Sequence, residues 1–192
     1  NRTDTPQDYW TPEQVQPEGW YEVDGQPVLW EACQTFSGSW GYHRDEMTWK
    51  SVAMLLQMLI DGVAKGGNLL LNVGPTARGC FDDRAQERLR GMGEWMRYNG
   101  RSIYGCTMSD FKAPTDCRYT QNFDTGRLYC HVLSWPMRAL RLPGMAGKIE
   151  YAQLLHDASE VRLTEQGDDL LLQVPIMKPG VEIPVVEMWL SG

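Results

Sequence analysis

Long apolar runs, a basic surplus and paired cysteines are all missing from this 192-residue sequence, and each absence removes a class of protein. No stretch reaches the roughly 18 consecutive apolar residues of a membrane span, because Gln57, Asp61 and Asn72 interrupt the apolar segments. Lys plus Arg number 18 against 25 for Asp plus Glu, a formal net charge of −7. With no local basic patch to meet phosphates, a nucleic-acid partner is not expected. The five cysteines, Cys33, Cys80, Cys106, Cys117 and Cys130, are odd in number, without a C-x-x-C pair or a His at zinc-finger spacing. A structural zinc site is therefore not expected. Buried free thiols are, with one pairing between residues 106 and 130 left open in an oxidising compartment.

Two catalytic signatures are missing as well. There is no G-x-S-x-G turn, and His43, His131 and His156 have no Ser or Cys partner at a recognisable spacing, so a nucleophilic triad lacks support. Gly66-Gly67 stand before an apolar run, whereas a phosphate loop wants its glycines after a strand. The start, Asn1-Arg2-Thr3-Asp4, is neither an initiator Met nor a signal-peptide opening. A piece of a longer chain is expected.

What is present is the composition of a folded protein, 42% hydrophobic and 22% charged. Residues 1 to 27, rich in Pro, Gln and acids around Tyr9, Trp10, Trp20 and Tyr21, show no sustained period and read as a long loop that builds or covers a site. From Lys50 to Ala64, Val52, Leu55, Leu56, Leu59, Ile60 and Val63 recur at steps of three and four, the stripe of an amphipathic helix. The run Asn68 to Val73 predicts a strand buried on both faces. Asp82 or Asp83 then caps a helix in which Leu89, Met92, Trp95 and Met96 share a face until Asn99-Gly100. Beyond about residue 106 helical periodicity ends. Short apolar runs at 127–133, 161–164, 170–174 and 185–190 alternate with turns such as Asp124-Thr125-Gly126, which predicts an antiparallel sandwich.

Chemistry is concentrated early. Trp10, Trp20, Trp30, Trp40 and Trp49, five of eight tryptophans, lie within the first 50 residues beside Glu13, Glu18, Glu22, Asp24, Glu31, Asp45 and Glu46. Indole faces suit the apolar side of a pyranose, and carboxylates transfer protons and hold hydroxyls. Core packing for the indoles and solvation for the acids is the competing reading.

Three strings, Trp30-Glu31-Ala32-Cys33-Gln34-Thr35, Ser39-Trp40-Gly41-Tyr42 and Gly66-Gly67-Asn68-Leu69-Leu70-Leu71-Asn72-Val73-Gly74-Pro75, together resemble the α-L-fucosidases of glycoside hydrolase family 29. Arg88-Leu89, Gly93-Glu94-Trp95, Asn99-Gly100 and Ile103-Tyr104-Gly105 look like that family's closing helix and last barrel segment. The resemblance implies a fold of α/β plus all-β type. Residues 1 to 105 would be the C-terminal part of a (β/α)8 barrel and residues 106 to 192 an antiparallel β-sandwich. A whole barrel takes about 250 residues, so its earlier strands, with the nucleophilic Asp, would lie upstream of Asn1.

The resemblance also implies roles. Arg2 is similar to an Arg that holds the sugar, a task suited to a permanently charged fork. Glu13, in Thr11-Pro12-Glu13, is the first choice for the acid/base, and Glu31 is the alternative, as acid/base or as support for the sugar site. Trp30 and Trp40 are substrate-binding candidates, with Tyr42 beside them. The reaction implied is retaining hydrolysis, in which two carboxyl groups about 5 to 5.5 Å apart act in turn, with no cofactor and no metal. Its partner would be a fucosylated glycan or glycoconjugate, and its setting secreted, periplasmic or lysosomal. The fragment by itself would be inactive. Two readings compete with it: a non-catalytic carbohydrate-binding protein or decayed remnant, and a sandwich that only stabilises the barrel. Linkage, aglycone and oligomeric state are left open.

Overall fold

The computed structural model describes residues 9–192, so Asn1 and Arg2 lie outside the described residues. The chain divides inside a helix, between Glu94 and Trp95.

In the first unit, β1 (Tyr21–Val23) and β2 (Gln26–Val28) form an antiparallel hairpin inside the stretch read from sequence as a loop. Its strands are only three residues long, too short for a period to register. The turn itself is an Asp-Gly pair, Asp24 and Gly25 both at positive φ, the backbone that tight hairpins favour. Next come β3 (Glu31–Thr35), α1 (Val52–Ala64) and β4 (Asn68–Asn72). β3 and β4 pair in parallel, Glu31 opposite Asn68 and Thr35 opposite Asn72. Ser51 starts α1, its side chain accepting from the Met54 N–H at 3.2 Å, and Leu55, Leu56, Ile60 and Val63 are buried. That is the stripe the periodicity predicts.

A third parallel line flanks β3. Trp10 pairs with Trp30 and Glu13 with Cys33, through Glu31 N–H to Trp10 O and Cys33 N–H to Pro12 O, both 2.9 Å. These lines make an open sheet, and no closed barrel exists among the described residues. The expectation that the Asn68–Val73 run is buried on both faces does not hold, because Leu70 is half exposed. Asp82 starts α2 (Asp83–Asn99), its carboxylate accepting the Ala85 N–H at 3.0 Å.

The second unit contains the end of α2, a 3-10 turn at Gly100–Ser102 and strands β5 (Thr107–Met108), β6 (Cys117–Asn122), β7 (Arg127–Val132), β8 (Ala139–Leu142), β9 (Ile149–Leu154), β10 (Arg162–Gln166), β11 (Asp169–Gln173) and β12 (Val185–Leu190). They build a five-stranded antiparallel sheet, ordered β5-β6-β7-β12-β9, and a three-stranded one, β10-β11-β8. Leu128, Cys130, Val186 and Met188 of the larger sheet and Leu140, Leu142, Leu170 and Leu172 of the smaller share one core, which makes the pair a β-sandwich. All five cysteines are free thiols, with Cys117 and Cys130 buried.

The larger sheet buries polar groups on its other face. Thr120 donates its hydroxyl to the Ser102 carbonyl at 2.6 Å and lies 2.9 Å from His131 Nε2. That hydroxyl proton is committed, so His131 must donate from Nε2, and its buried Nδ1 has no hydrogen-bond partner among the described residues. Burial pushes the His131 pKa down to about 3, so the ring is neutral at pH 7.

Candidate active site

Residues opposite one another in a parallel sheet share a face, and neighbours along a strand alternate. Glu13, Glu31, Cys33 and Thr35 therefore share a face with Asn68, Leu70 and Asn72. Ala32 and Gln34 alternate with them and are buried. The open face thus brings together both carboxylates singled out from sequence, with Cys33 between them. Burial, then the charge of Glu13, then that of Glu31 push the Cys33 thiol up from its ordinary value, which places both carboxylates within electrostatic reach of one sulfur. Sequence reasoning passed over Cys33, though its place two residues after Glu31 was a signal, since a strand returns to the same face every second residue.

The two carboxylates occupy different ends of their strands. Glu31 is the first residue of β3. Glu13 ends its parallel segment, because Gln14 turns the chain with φ of 56°. Gln14 then fastens the turn, its side-chain amide donating to Thr35 Oγ1 at 3.2 Å. Glu13 is therefore held where its segment exits the sheet.

Beyond the C-terminal ends of β3 and β4 lies the loop of residues 36–50. Gly74 lets it approach, since a Cβ there would meet Gly41 C and Tyr42 N at 2.4 Å. Asn72 ties it down by donating its side-chain amide to the Trp40 carbonyl at 2.6 Å. Trp40 and Tyr42 are each about two-fifths exposed. Trp30, the other indole singled out for sugar contact, is completely buried. It packs over Gly67, where a Cβ would meet the ring at 2.2 Å, and alternates with Glu31 onto the opposite face. A Cβ at Gly66 would meet the Trp20 ring at 2.6 Å, so the Gly66-Gly67 pair of the motif makes room for two indoles.

Glu46 completes the loop. It accepts from the Thr48 hydroxyl at 2.6 Å, the Thr48 N–H at 2.7 Å and the Ser39 hydroxyl at 2.8 Å. The Thr48 side chain, then its N–H, then Ser39 hold the carboxyl down to about 2. A group so fully supplied with donors stays ionised and is unsuited to donating a proton. On the other side of the loop, Arg84 and Arg88 lie over the Trp49 ring, 4.9 and 5.1 Å from its centroid, and Lys50 Nζ donates to the Thr35 carbonyl at 2.7 Å. No group of three or more His, Cys, Asp or Glu able to hold a metal occurs among the described residues.

The family profile described as alpha-L-fucosidase matches residues 1–101. This chain belongs to the alpha-L-fucosidase family. The motif resemblance to glycoside hydrolase family 29 therefore holds. Among this family's relatives, human plasma alpha-L-fucosidase is 33% identical over 151 residues, which are 75% of this chain and 31% of that protein. Alpha-L-fucosidase isoenzyme 1 from Paenibacillus thiaminolyticus superposes with a TM-score of 0.90 at 36% identity, over 96% of this chain and 45% of the other. A Thermotoga maritima alpha-L-fucosynthase, solved with a fucosyl-fucose azide bound, matches with a TM-score of 0.73 at 29% identity, over 84% of this chain and 39% of that one. The chain spans about a third of the length of the curated relatives it matches. Among the described residues, no helix is long and apolar enough to cross a membrane.

Proposed function

We propose that this chain is the C-terminal part of a retaining α-L-fucosidase, which releases terminal α-L-fucose from glycans with Glu13 as acid/base. Residues 1 to 105 are read as the end of a (β/α)8 barrel and residues 106 to 192 as its β-sandwich. The observation that carries the reading is the place of Glu13, at the exit of a segment running parallel to β3. Active sites of (β/α)8 enzymes form at the C-terminal ends of parallel strands. Glu31 stands at the opposite end of β3 and is read as support for the sugar site. Trp40 and Tyr42 are assigned to the pocket wall, Trp30 to packing that holds the strands in register, and Arg2 to gripping the sugar.

The mechanism follows from two carboxyl groups. An Asp of the full-length protein, outside these 192 residues, attacks the anomeric carbon. Protonated Glu13 gives its proton to the leaving glycosidic oxygen as that bond breaks. The Glu13 carboxylate then takes a proton from water, whose oxygen displaces the Asp from the anomeric carbon, and fucose leaves with its configuration retained. The fucosyl ligand bound by the Thermotoga relative supports a fucosylated substrate. The 192-residue chain alone is expected to be inactive, having one half of the pair.

The test is hydrolysis of an aryl α-L-fucoside by the full-length protein, followed by NMR during the first minutes. α-Fucose as the first product supports the reading. First-formed β-fucose overturns retention, and fucoside binding without turnover turns the reading to a carbohydrate-binding protein.

A further inference from the structure

The two sheets of the sandwich are covered unequally. The larger one is packed on both faces, by the core on one side and by Trp95, Ser102 and their neighbours on the other, where Trp95 Nε1 donates to the Ile183 carbonyl at 2.8 Å. The three-stranded sheet has Leu140, Leu142, Leu170 and Leu172 in the core, while Ala139, Arg141, Arg162, Thr164 and Gln173 on its outer side are exposed. At one end of this outer face lies an open groove of about 720 Å³, lined by Arg138, Glu160, Arg162, Gln173, Pro175 and Ile176.

Arg138 and Arg162 differ from the other arginines of this unit. Arg101 pairs with Glu187, and Arg141 with Asp169. Arg97 and Arg127 lie over the rings of Tyr98 and Trp189, and Arg118 donates to the Thr115 and Cys117 carbonyls. The guanidinium groups of Arg138 and Arg162 have no such partner among the described residues, and both face the same groove. Arg162 stands opposite Gln173, and Gln173 opposite Ala139, the residue after Arg138. With strands about 4.8 Å apart, the groove is roughly 10 Å across, the width of a sugar ring with its substituents.

We propose that this groove binds an acidic sugar of a glycan, a saccharide residue bearing a carboxylate or sulfate group. Two guanidinium forks without a protein anion are suited to receive that group. The rest of the lining selects a sugar over a bare anion. Glu160, with no ion pair to either arginine, accepts from hydroxyls and repels a small multiply charged ion. Gln173 spends an N–H on Thr164 at 3.2 Å and keeps its carbonyl as a further acceptor. Ile176 is 63% exposed and forms an apolar wall for a ring face. Its segment is fastened by Trp135 Nε1, which donates to the Pro175 carbonyl at 3.0 Å. On a chain of net charge −7, an acidic ligand is repelled in general and drawn to the cationic groove. The site would hold an acidic glycan independently of any catalysis in the first unit.

The experiment titrates the full-length protein by NMR and calorimetry with 3′-sialyllactose, galactose 6-sulfate, lactose and inorganic sulfate. At least one of the two acidic saccharides should bind and shift amides within 138–139, 160–162 and 173–176, with lactose and inorganic sulfate each about tenfold weaker or more. Arg138→Gln and Arg162→Gln should each weaken that binding about tenfold, and together abolish it, without lowering the melting temperature, since both side chains are exposed. Failure of both acidic saccharides to bind overturns the proposal. So does binding that survives the double variant, and so does inorganic sulfate binding as tightly as the saccharides, which would make the groove an anion site only.

Discussion

Glu13 stands in register with Cys33, so the two carboxylates that the sequence singles out, 18 residues apart along the chain, share one face of a parallel sheet. The turn at Gln14 places Glu13 at the exit of its segment, while Glu31 opens β3. One thiol senses both charges. Proximity alone does not choose between them. The proposed assignment of Glu13 as acid/base rests on the difference in strand end.

The packing of Trp30 over Gly67 predicts a steep stability cost at a position that looks innocuous. Gly67→Ala drives a Cβ to 2.2 Å from a completely buried ring, and overpacking of this kind costs about 1–3 kcal/mol or more. Gly93, inside α2 with nothing within 4 Å of a Cβ, gives the control. Gly93→Ala should stabilise by roughly 0.5–1 kcal/mol through helix propensity and reduced unfolded-state entropy. Urea unfolding of the two variants should move in opposite directions.

His131 predicts how stability depends on acid. Its pKa is lowered, chiefly by burial, to about 3, so below the ordinary value near 6.5 the unfolded chain takes up a proton that the native ring refuses. More protons on the unfolded side means that stability falls as pH falls, starting near 6.5 and ending near the folded value. At pH 5 the loss from this residue is about 2 kcal/mol. NMR of the native chain should show the His131 ring neutral at pH 5, and a ring that titrates near 6.5 contradicts the assignment.

Glu46 predicts the behaviour of the loop that carries Trp40. Its carboxyl is held down to about 2 by Thr48 and Ser39, so the clasp is complete above the ordinary carboxyl range and is lost only as pH falls through about 2. Hydrogen exchange at Thr48 should stay slow at pH 3 and become fast in Glu46→Gln, which gives up the charge in three charge-assisted bonds. Equal protection in the variant would mean that the backbone alone holds the loop.

Much of the fold was legible because it depends on local pattern. The stripe from Val52 to Val63, the cap at Asp82 and the apolar run of β12 each carry a local signal in the sequence. The β1–β2 hairpin was not, since three-residue strands leave only the Asp24-Gly25 turn as a signal. β6 was missed for another reason. It buries Thr120 and Gln121 along with Tyr119, because both of its faces are covered, so the apolar-polar alternation of a half-buried strand disappears. In the candidate site, motif and spacing brought out Glu13 and Glu31, but which end of a strand each occupies depends on the pairing with β3 and on the turn at Gln14. The burial of Trp30 likewise depends on its approach to Gly67 from across the sheet.

The measurement that bears most directly on Glu13 is a leaving-group series in the full-length protein, with and without azide. Glu13→Ala should slow substrates with poor leaving groups by about 10² to 10⁴, and activated aryl fucosides far less, because only the former need a proton at departure. Azide should then restore turnover by replacing the water that Glu13 would activate, yielding a fucosyl azide of retained configuration. Glu31→Ala should slow all substrates alike and show no rescue. Azide rescue at position 31 with none at position 13 would contradict the assignment of Glu13 as acid/base.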